Sequence, residues 1–292
     1  MKRQLVFWLA LVCAEMHAQH NPLRSQYLLD PVAINPGSAG IKGFLSATTS
    51  YRRQWIGIPG APETFSFAVQ TPLRKKSFNC GLLFSNDKLA VTRRTELSFI
   101  YAYRIFAKKF SFAAGVSPGI IMEQNRWNEI ITTDAGDEAF SGGIQNNILP
   151  SMGYGIFLHS KRFVFSASGR QLIPAPEWRK QPFVIYSGYM MGDPKGITMT
   201  ISALTRMVIS GSLQADANIL VEFKNRLGIG ASYRLNESVS GLLTFQANEQ
   251  LQFGYSYDLI LSGLRNYSSG SHEIHLCYDF GYRVEAKSPR NF

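Results

Sequence analysis

The stretch LQFGYSYDLI, residues 251–260, decides the fold. Leu251, Phe253, Tyr255 and Tyr257 fall on one face of an extended chain, and Gln252, Gly254, Ser256 and Asp258 fall on the other. Period two is the side-chain period of a β-strand. The pattern recurs along the chain. Leu97, Phe99, Tyr101, Tyr103 and Ile105 oppose Glu96, Ser98 and Arg104. Ile274, Leu276, Tyr278, Phe280 and Tyr282 oppose Glu273, His275, Asp279 and Arg283. Aromatic-rich segments of about ten residues, separated by turns, are the signature of a transmembrane β-barrel.

Turn signals divide the chain into fourteen predicted strands: 43–51, 63–72, 78–86, 93–106, 110–122, 148–159, 162–171, 182–191, 196–207, 212–223, 226–235, 238–247, 250–259 and 272–283. Long connections (52–62, 87–92, 123–147, 172–181, 260–271) alternate with short ones (73–77, 107–109, 160–161, 192–195, 224–225). Barrels of the bacterial outer membrane have an even strand number, short periplasmic turns and longer outer loops. A secreted sandwich has no reason for that asymmetry, although the outer turns near 208–210 and 236–237 are short. Charges on the polar face, at Arg104, Arg162, Arg170, Asp216, Glu222, Arg226, Arg234, Asp258 and Asp279, would be costly against lipid, by about 2–4 kcal/mol for an arginine at the midplane. They are expected in the lumen. A fourteen-strand bore is compatible with either a channel or a filled interior.

Lys2 and Arg3, the apolar run from Leu5 to Ala14 and a small residue at Ala18 read as a signal peptide cleaved after Ala18. The run is too short for a spanning helix, which needs about 20 residues. The expected organisation is a signal peptide (1–18), an irregular segment (19–42), a barrel (43–283) and a short tail (284–292). The irregular segment carries Pro22, Pro31 and Pro36 and does not alternate. It is expected either to plug the lumen or to lie against the periplasmic rim.

Removing Lys2, Arg3 and Glu15 leaves 28 basic and 19 acidic residues from the original 30 and 20, a net charge of +9. For an exported chain this excludes nucleic acid as a partner and fits a charged lumen and lipid headgroups. Cys80 and Cys277 remain after cleavage, too few for a disulfide scaffold. Whether the two pair is left open.

Three stretches go beyond barrel patterning: QYLLDPVAINPGSAG (26–40), YRRQWIGIPGAPETFSFAVQTPL (51–73) and FGYSYDLILSGLRNYSSGSHEIHLCYDF (253–280). Together they resemble the PorP/SprF family of the Bacteroidota type IX secretion and gliding-motility machinery. The chain departs from the family pattern at Gly37-Ser38, where a small residue and an aromatic are expected. The resemblance implies a non-catalytic barrel in the outer membrane, without cofactors. Its implied partners are a secreted surface adhesin or its C-terminal secretion domain, the periplasmic lipoprotein ring, and outer-membrane lipids. A porin-like channel for small solutes is the alternative.

Candidate partner contacts are Arg53, Gln54 and Trp55 beside Arg52, then Trp127, and then Arg265, Asn266 and Tyr267. Trp is a rigid anchor and Arg recognises carboxylates; equally, Tyr51 and Trp55 suit an interfacial aromatic girdle. Asn35, Pro36 and Gly40 are the candidate plug or periplasmic contacts. Ser271-His272-Glu273 looks like a triad only in sequence, because alternate strand residues point to opposite faces. His272 and His275 cannot share a metal for the same reason. Glu129, Asp134, Asp137 and Glu138 lack the ordered ligand spacing of a calcium loop. The loop around them is expected to be solvated and to join any extracellular contact.

Overall fold

The structure is a computed structural model that describes residues 24–73, 77–129, 143–172, 182–208 and 213–281. The expected signal peptide and tail, with Asp134, Asp137 and Glu138, lie outside the described residues. Fourteen strands form one closed antiparallel barrel. They are Ser46–Arg53 (β1), Glu63–Pro72 (β2), Phe78–Leu89 (β3), Thr92–Phe106 (β4), Phe110–Arg126 (β5), Ile144–Ser160 (β6), Phe163–Leu172 (β7), Phe183–Gly192 (β8), Ile197–Met207 (β9), Leu213–Phe223 (β10), Leu227–Arg234 (β11), Ser238–Gln246 (β12), Leu251–Ile260 (β13) and Ser271–Asp279 (β14). Each strand pairs with its sequence neighbours. β1 closes on β14 in a register running from Ser46↔Asp279 to Arg53↔His272. Closure leaves no edge, so backbone amides need no partner from lipid.

The alternation sets which face is which. Phe99, Tyr101, Tyr103 and Ile105 are exposed on the outside of β4, while Ser98, Ile100, Ala102 and Arg104 are buried inside. Aromatic rings gather at the end where the chain enters and leaves the barrel: Phe78 packs on Tyr103 at 5.0 Å and Tyr278 on Phe280 at 4.6 Å. Such girdles mark the interface of a membrane with water.

Three expectations need correction. The connection read as 87–92 is only Ala90-Val91, because β3 and β4 stay paired out to Leu89↔Thr92. Ala90 supplies the positive φ (49°) that glycine or asparagine usually provides, so the turn carries no sequence signal. β5 and β6 extend to Arg126↔Ile144, shortening the loop read as 123–147. Arg162 and Arg226 sit exposed in the short turns after β6 and β10, outside the lumen.

Residues Arg24–Lys42 run through the barrel interior. Two 3-10 turns, Pro31–Ala33 and Pro36–Ser38, compact the path, and Asn35 caps the second by accepting from Gly37 N–H. Val32 and Ala39 pack on Ala68, Leu83, Ile100 and Ala102 of β2–β4. Tyr27, with Leu28, Ile34 and Ile41, packs on Ala113, Phe157, Val164, Tyr186 and Leu204 of β5–β9. The lumen therefore has an apolar core of its own, built jointly by the segment and the wall.

Two wall glycines make the room. A Cβ at Gly155 would lie 2.1 Å from Asn35 Oδ1, and one at Gly115 would lie 2.5 Å from the Pro36 carbonyl carbon. Gly115 and Gly155 face each other in the β5–β6 register. Valine at either should cost the docked segment about 1–3 kcal/mol through overpacking. We expect Gly155→Val to keep heat-modifiable barrel migration on gels while the Arg24–Lys42 segment becomes cleavable by added trypsin. Unchanged protection would contradict the close approach.

Candidate functional site

The lumen is wired by side chains that polar-face positions of the strands point inward. A run of alternating charge crosses the wall on the β9–β1 side: Glu273, Arg52, Asp258, Arg234, Asp216 and Arg206. Arg52 donates through Nη1 to Glu273 Oε2 at 3.1 Å and through Nη2 to Asp258. Arg234 Nε reaches Asp216 Oδ1 at 3.2 Å, and Arg206 Nη1 reaches Asp216 Oδ2 at 3.0 Å. All six are buried. Buried charge is tolerated only when paired and hydrogen-bonded, and alternation leaves none of the six without an opposite neighbour.

The segment joins this network through its backbone. Ser25 N–H and Gln26 N–H donate to the two Glu273 oxygens at 2.7 and 3.2 Å, and Ser25 Oγ donates to Asp258 at 3.0 Å. Asn218 Nδ2 donates to the Tyr27 hydroxyl, and the Arg206 guanidinium lies 5.9 Å from the Tyr27 ring centre. Burial pushes the Tyr27 hydroxyl well above its ordinary pKa, so it stays neutral.

Further along, Asn35, fully buried at 0% exposure, donates through Nδ2 to Ile156 O (2.8 Å), Ser166 Oγ (2.7 Å) and Ala167 O (3.2 Å). Arg104 Nη2 donates to the Ala39 carbonyl at 3.0 Å, with the Gly37 and Ser38 carbonyls at 3.4 Å. Ser168 Oγ donates to Ile34 O at 2.6 Å, and Gln70 Oε1 accepts from Gly40 N–H at 2.9 Å. Asn35, Pro36 and Gly40 thus all lie in the lumen against β2, β3, β5 and β6. In sequence, the prolines and the lost alternation hinted at this. Apolar residues at inward positions of β5–β9, such as Phe157 and Leu204, were the stronger signal.

At the end away from the termini, two loops meet across the β1–β14 closure. Ile56 N–H donates to Gly270 O, and Ser269 N–H donates to Ile56 O, both at 2.9 Å. This brings Arg53 and Trp55 to the same rim sector as Arg265, Asn266 and Tyr267. Tyr267 is 74% exposed, and Arg265 and Asn266 are exposed beside it on the 3-10 turn Gly263–Asn266. Trp55 is half-buried with a left-handed φ of 47°. Arg53 is exposed and pairs with Glu63 at 3.4 Å. Gln54 points inward and is buried at 4% exposure, so its side chain is not presented at the surface. Trp127 sits at the tip of β5, with β2, β3 and β4 between it and β1.

The Ser271-His272-Glu273 run does not converge. Ser271 Oγ accepts from Trp55 N–H, Glu273 is held by Arg52, and His272 lies on the outer face against Tyr255 OH at 2.7 Å. Among the described residues no group of three His, Cys, Asp or Glu side chains is placed to hold a metal ion. Cys80 and Cys277 are both free; Cys80 lies on the outer side of β3 and Cys277 on the inner side of β14.

Two substitutions test the wiring. Arg52→Gln strands Glu273 as a buried anion, leaves Asp258 only Arg234 at 3.9 Å, and should destabilise by about 3–5 kcal/mol. Asn35→Ala removes the donor to three acceptors and should cost about 1–3 kcal/mol. Urea unfolding in detergent, followed by tryptophan fluorescence, reads both as lowered midpoints. A pH effect accompanies them. Burial pushes the Asp30 carboxyl up, although Arg24 and Lys42 draw it down and Glu273 adds to the rise. A carboxyl raised on folding contributes stability below its unfolded pKa and loses it as pH rises through the folded one. Docking of the segment should therefore weaken as pH rises through that window, and Asp30→Asn should flatten the dependence of trypsin protection on pH.

Solved structures with the same architecture are outer-membrane barrels. The Ralstonia pickettii toluene transporter TbuX aligns with a TM-score of 0.52 at 9% identity, covering 86% of this chain and 93% of its own. The Acinetobacter baumannii outer membrane protein Omp33 aligns with a TM-score of 0.50 at 7% identity, covering 81% and 98%. At such identities the likeness is one of fold. No curated protein matches the chain. The matching family and the closed barrel fold place the protein in the outer membrane of a Gram-negative cell, as a barrel associated with type IX secretion. Residues 16–278 match the family of type IX secretion system membrane proteins PorP/SprF, and the chain belongs to that family.

Proposed function

We propose that this protein is a non-enzymatic docking barrel. Its rigid frame presents rim elements to a secreted surface adhesin, or to that adhesin's C-terminal secretion domain, and to the periplasmic lipoprotein ring. The observation that carries this reading is the filled lumen: Arg24–Lys42 cross it with wall partners on several sides, which is poor construction for a solute path and good construction for a frame. Family membership supports interaction with secretion components. In this reading the long connections face outward and the termini face the periplasm. The joined loops carrying Arg53, Trp55, Arg265, Asn266 and Tyr267 are the outer contact, with Trp127 a second one. Long loops on a rigid scaffold are where partners bind, and exposed Tyr and Trp are suitable anchors.

Gentle solubilisation of native outer membranes and affinity capture of the tagged protein test it. Recovery of one large secreted protein with its C-terminal domain identifies a dedicated adhesin partner. Recovery of periplasmic lipoproteins identifies a general component of the apparatus. Tyr267→Ala and Trp55→Ala should lower recovery of an outer partner at least tenfold, the loss of roughly 1.4 kcal/mol or more, while barrel migration stays unchanged. Recovery of the barrel alone would count against the docking reading.

A further inference from the structure

Lys42 closes the internal segment just before β1, and its ammonium group meets β14 from inside the barrel. Lys42 Nζ lies 2.8 Å from Cys277 Sγ and 3.0 Å from Asp279 Oδ1. Cys277 is fully buried, Ser46 Oγ is 3.6 Å from its sulfur, and Asp279 Oδ1 is 3.4 Å from it. The Nζ–Sγ separation falls within the range of an N–H···O bond, about 2.7–3.2 Å, although sulfur is a much larger atom than oxygen. Nitrogen and sulfur that close are at the spacing that one shared oxygen atom would bridge. The geometry also places a proton acceptor, Asp279, against the same nitrogen.

We propose that Lys42 and Cys277 form a reversible covalent cross-link, Nζ–O–Sγ, that locks the lumenal segment to the last strand under oxidising conditions. The oxidant is dioxygen. The thiol, the ammonium group and one dioxygen molecule give the bridged product, one water and one proton. One oxygen atom becomes the bridge, with new bonds to nitrogen and to sulfur. The other leaves as water, so sulfur and nitrogen are together oxidised by four electrons while dioxygen is reduced by four. The lysine proton leaves through Asp279 to solvent. The site lies at the entry end of the barrel, beside Ser46↔Asp279, where the Lys42 and Asp279 side chains are 12% and 10% exposed while the sulfur itself is buried. Cys80, on the outer face of β3, serves as an internal control.

The bridge has consequences that a hydrogen bond lacks. It removes the Lys42 charge and fastens the downstream end of the segment covalently to β14, four residues before β1 begins. It differs from a sulfenic or sulfinic acid on Cys277, which would add oxygen without a link.

The test is intact and peptide mass spectrometry of the mature protein purified from outer membranes in detergent, split between air and a phosphine reductant. In air we expect a gain of one oxygen less two hydrogens, about 14 Da, and one linked peptide pair joining Lys42 to Cys277. Both should vanish on reduction and in Cys277→Ser and Lys42→Arg, while Cys80→Ser keeps them. Reduced and oxidised wild type should also differ in trypsin protection of the segment, which needs no variant to fold. A mass gain of one or two whole oxygens confined to the Cys277 peptide would overturn the proposal. So would a loss of two hydrogens, the sign of a direct sulfur–nitrogen bond, or no mass change after prolonged exposure to air.

Discussion

A length of chain placed inside a barrel must find a partner for every amide it carries, because the lumen offers little water and the barrel wall has already spent its backbone on itself. That constraint organises this protein. The partners are side chains: Glu273 for the Ser25 and Gln26 amides, Gln70 for the Gly40 amide, Ser168 for the Ile34 carbonyl and Arg104 for the Gly37–Ala39 carbonyls. Asn35 returns the favour by donating to carbonyls of β6 and β7. The segment and the wall are thus mutually dependent. Removing a wall donor leaves a buried acceptor in the segment, and the reverse.

The charges follow from the same constraint. Glu273 accepts from two amides and is held by Arg52, and Arg52 is itself tolerable in the interior because Asp258 shares it. The alternation then extends to Arg234, Asp216 and Arg206, the last of which covers the Tyr27 ring. A run of this kind fixes where the segment sits more than how stable the barrel is. Buried ion pairs give little net energy against their desolvation, yet breaking one is costly. On the opposite side Val32 and Ala39 pack on apolar wall beside the Arg104 and Gln70 contacts, and Tyr27 packs on Tyr186 and Leu204. The segment is oriented by having one polar flank and two apolar patches, each with a single matching sector of wall.

Much of the barrel was legible in the sequence because period two is a local property. Strands such as 63–72 and 110–122 needed no knowledge of what lies across the lumen. The connection at Ala90-Val91 was not legible, since an alanine with positive φ mimics an ordinary strand residue. Gln54 and Arg53 are neighbours in sequence, but strand parity sends one inward and the other outward; extending the parity of β1 by one residue would have shown it. The lumenal network was the least legible. Asp258 looked like generic lumen charge, and Glu273 like part of a sequence-only triad, because their partners Arg52 and Ser25 lie more than two hundred residues away in sequence. Inward Phe157, Val164 and Leu204 were the missed clue: apolar side chains pointing into a wet lumen would have no reason to be there.

The central claim is that the barrel is occupied by its own chain and works as a frame rather than a conduit. Single-channel recording of the purified protein in planar bilayers tests it most directly. The account predicts no sustained unitary conductance from the wild-type protein, and the appearance of discrete steps once residues 24–42 are deleted from an otherwise intact barrel. Steady ohmic conductance from the wild type, equal to that of the deletion, would contradict it.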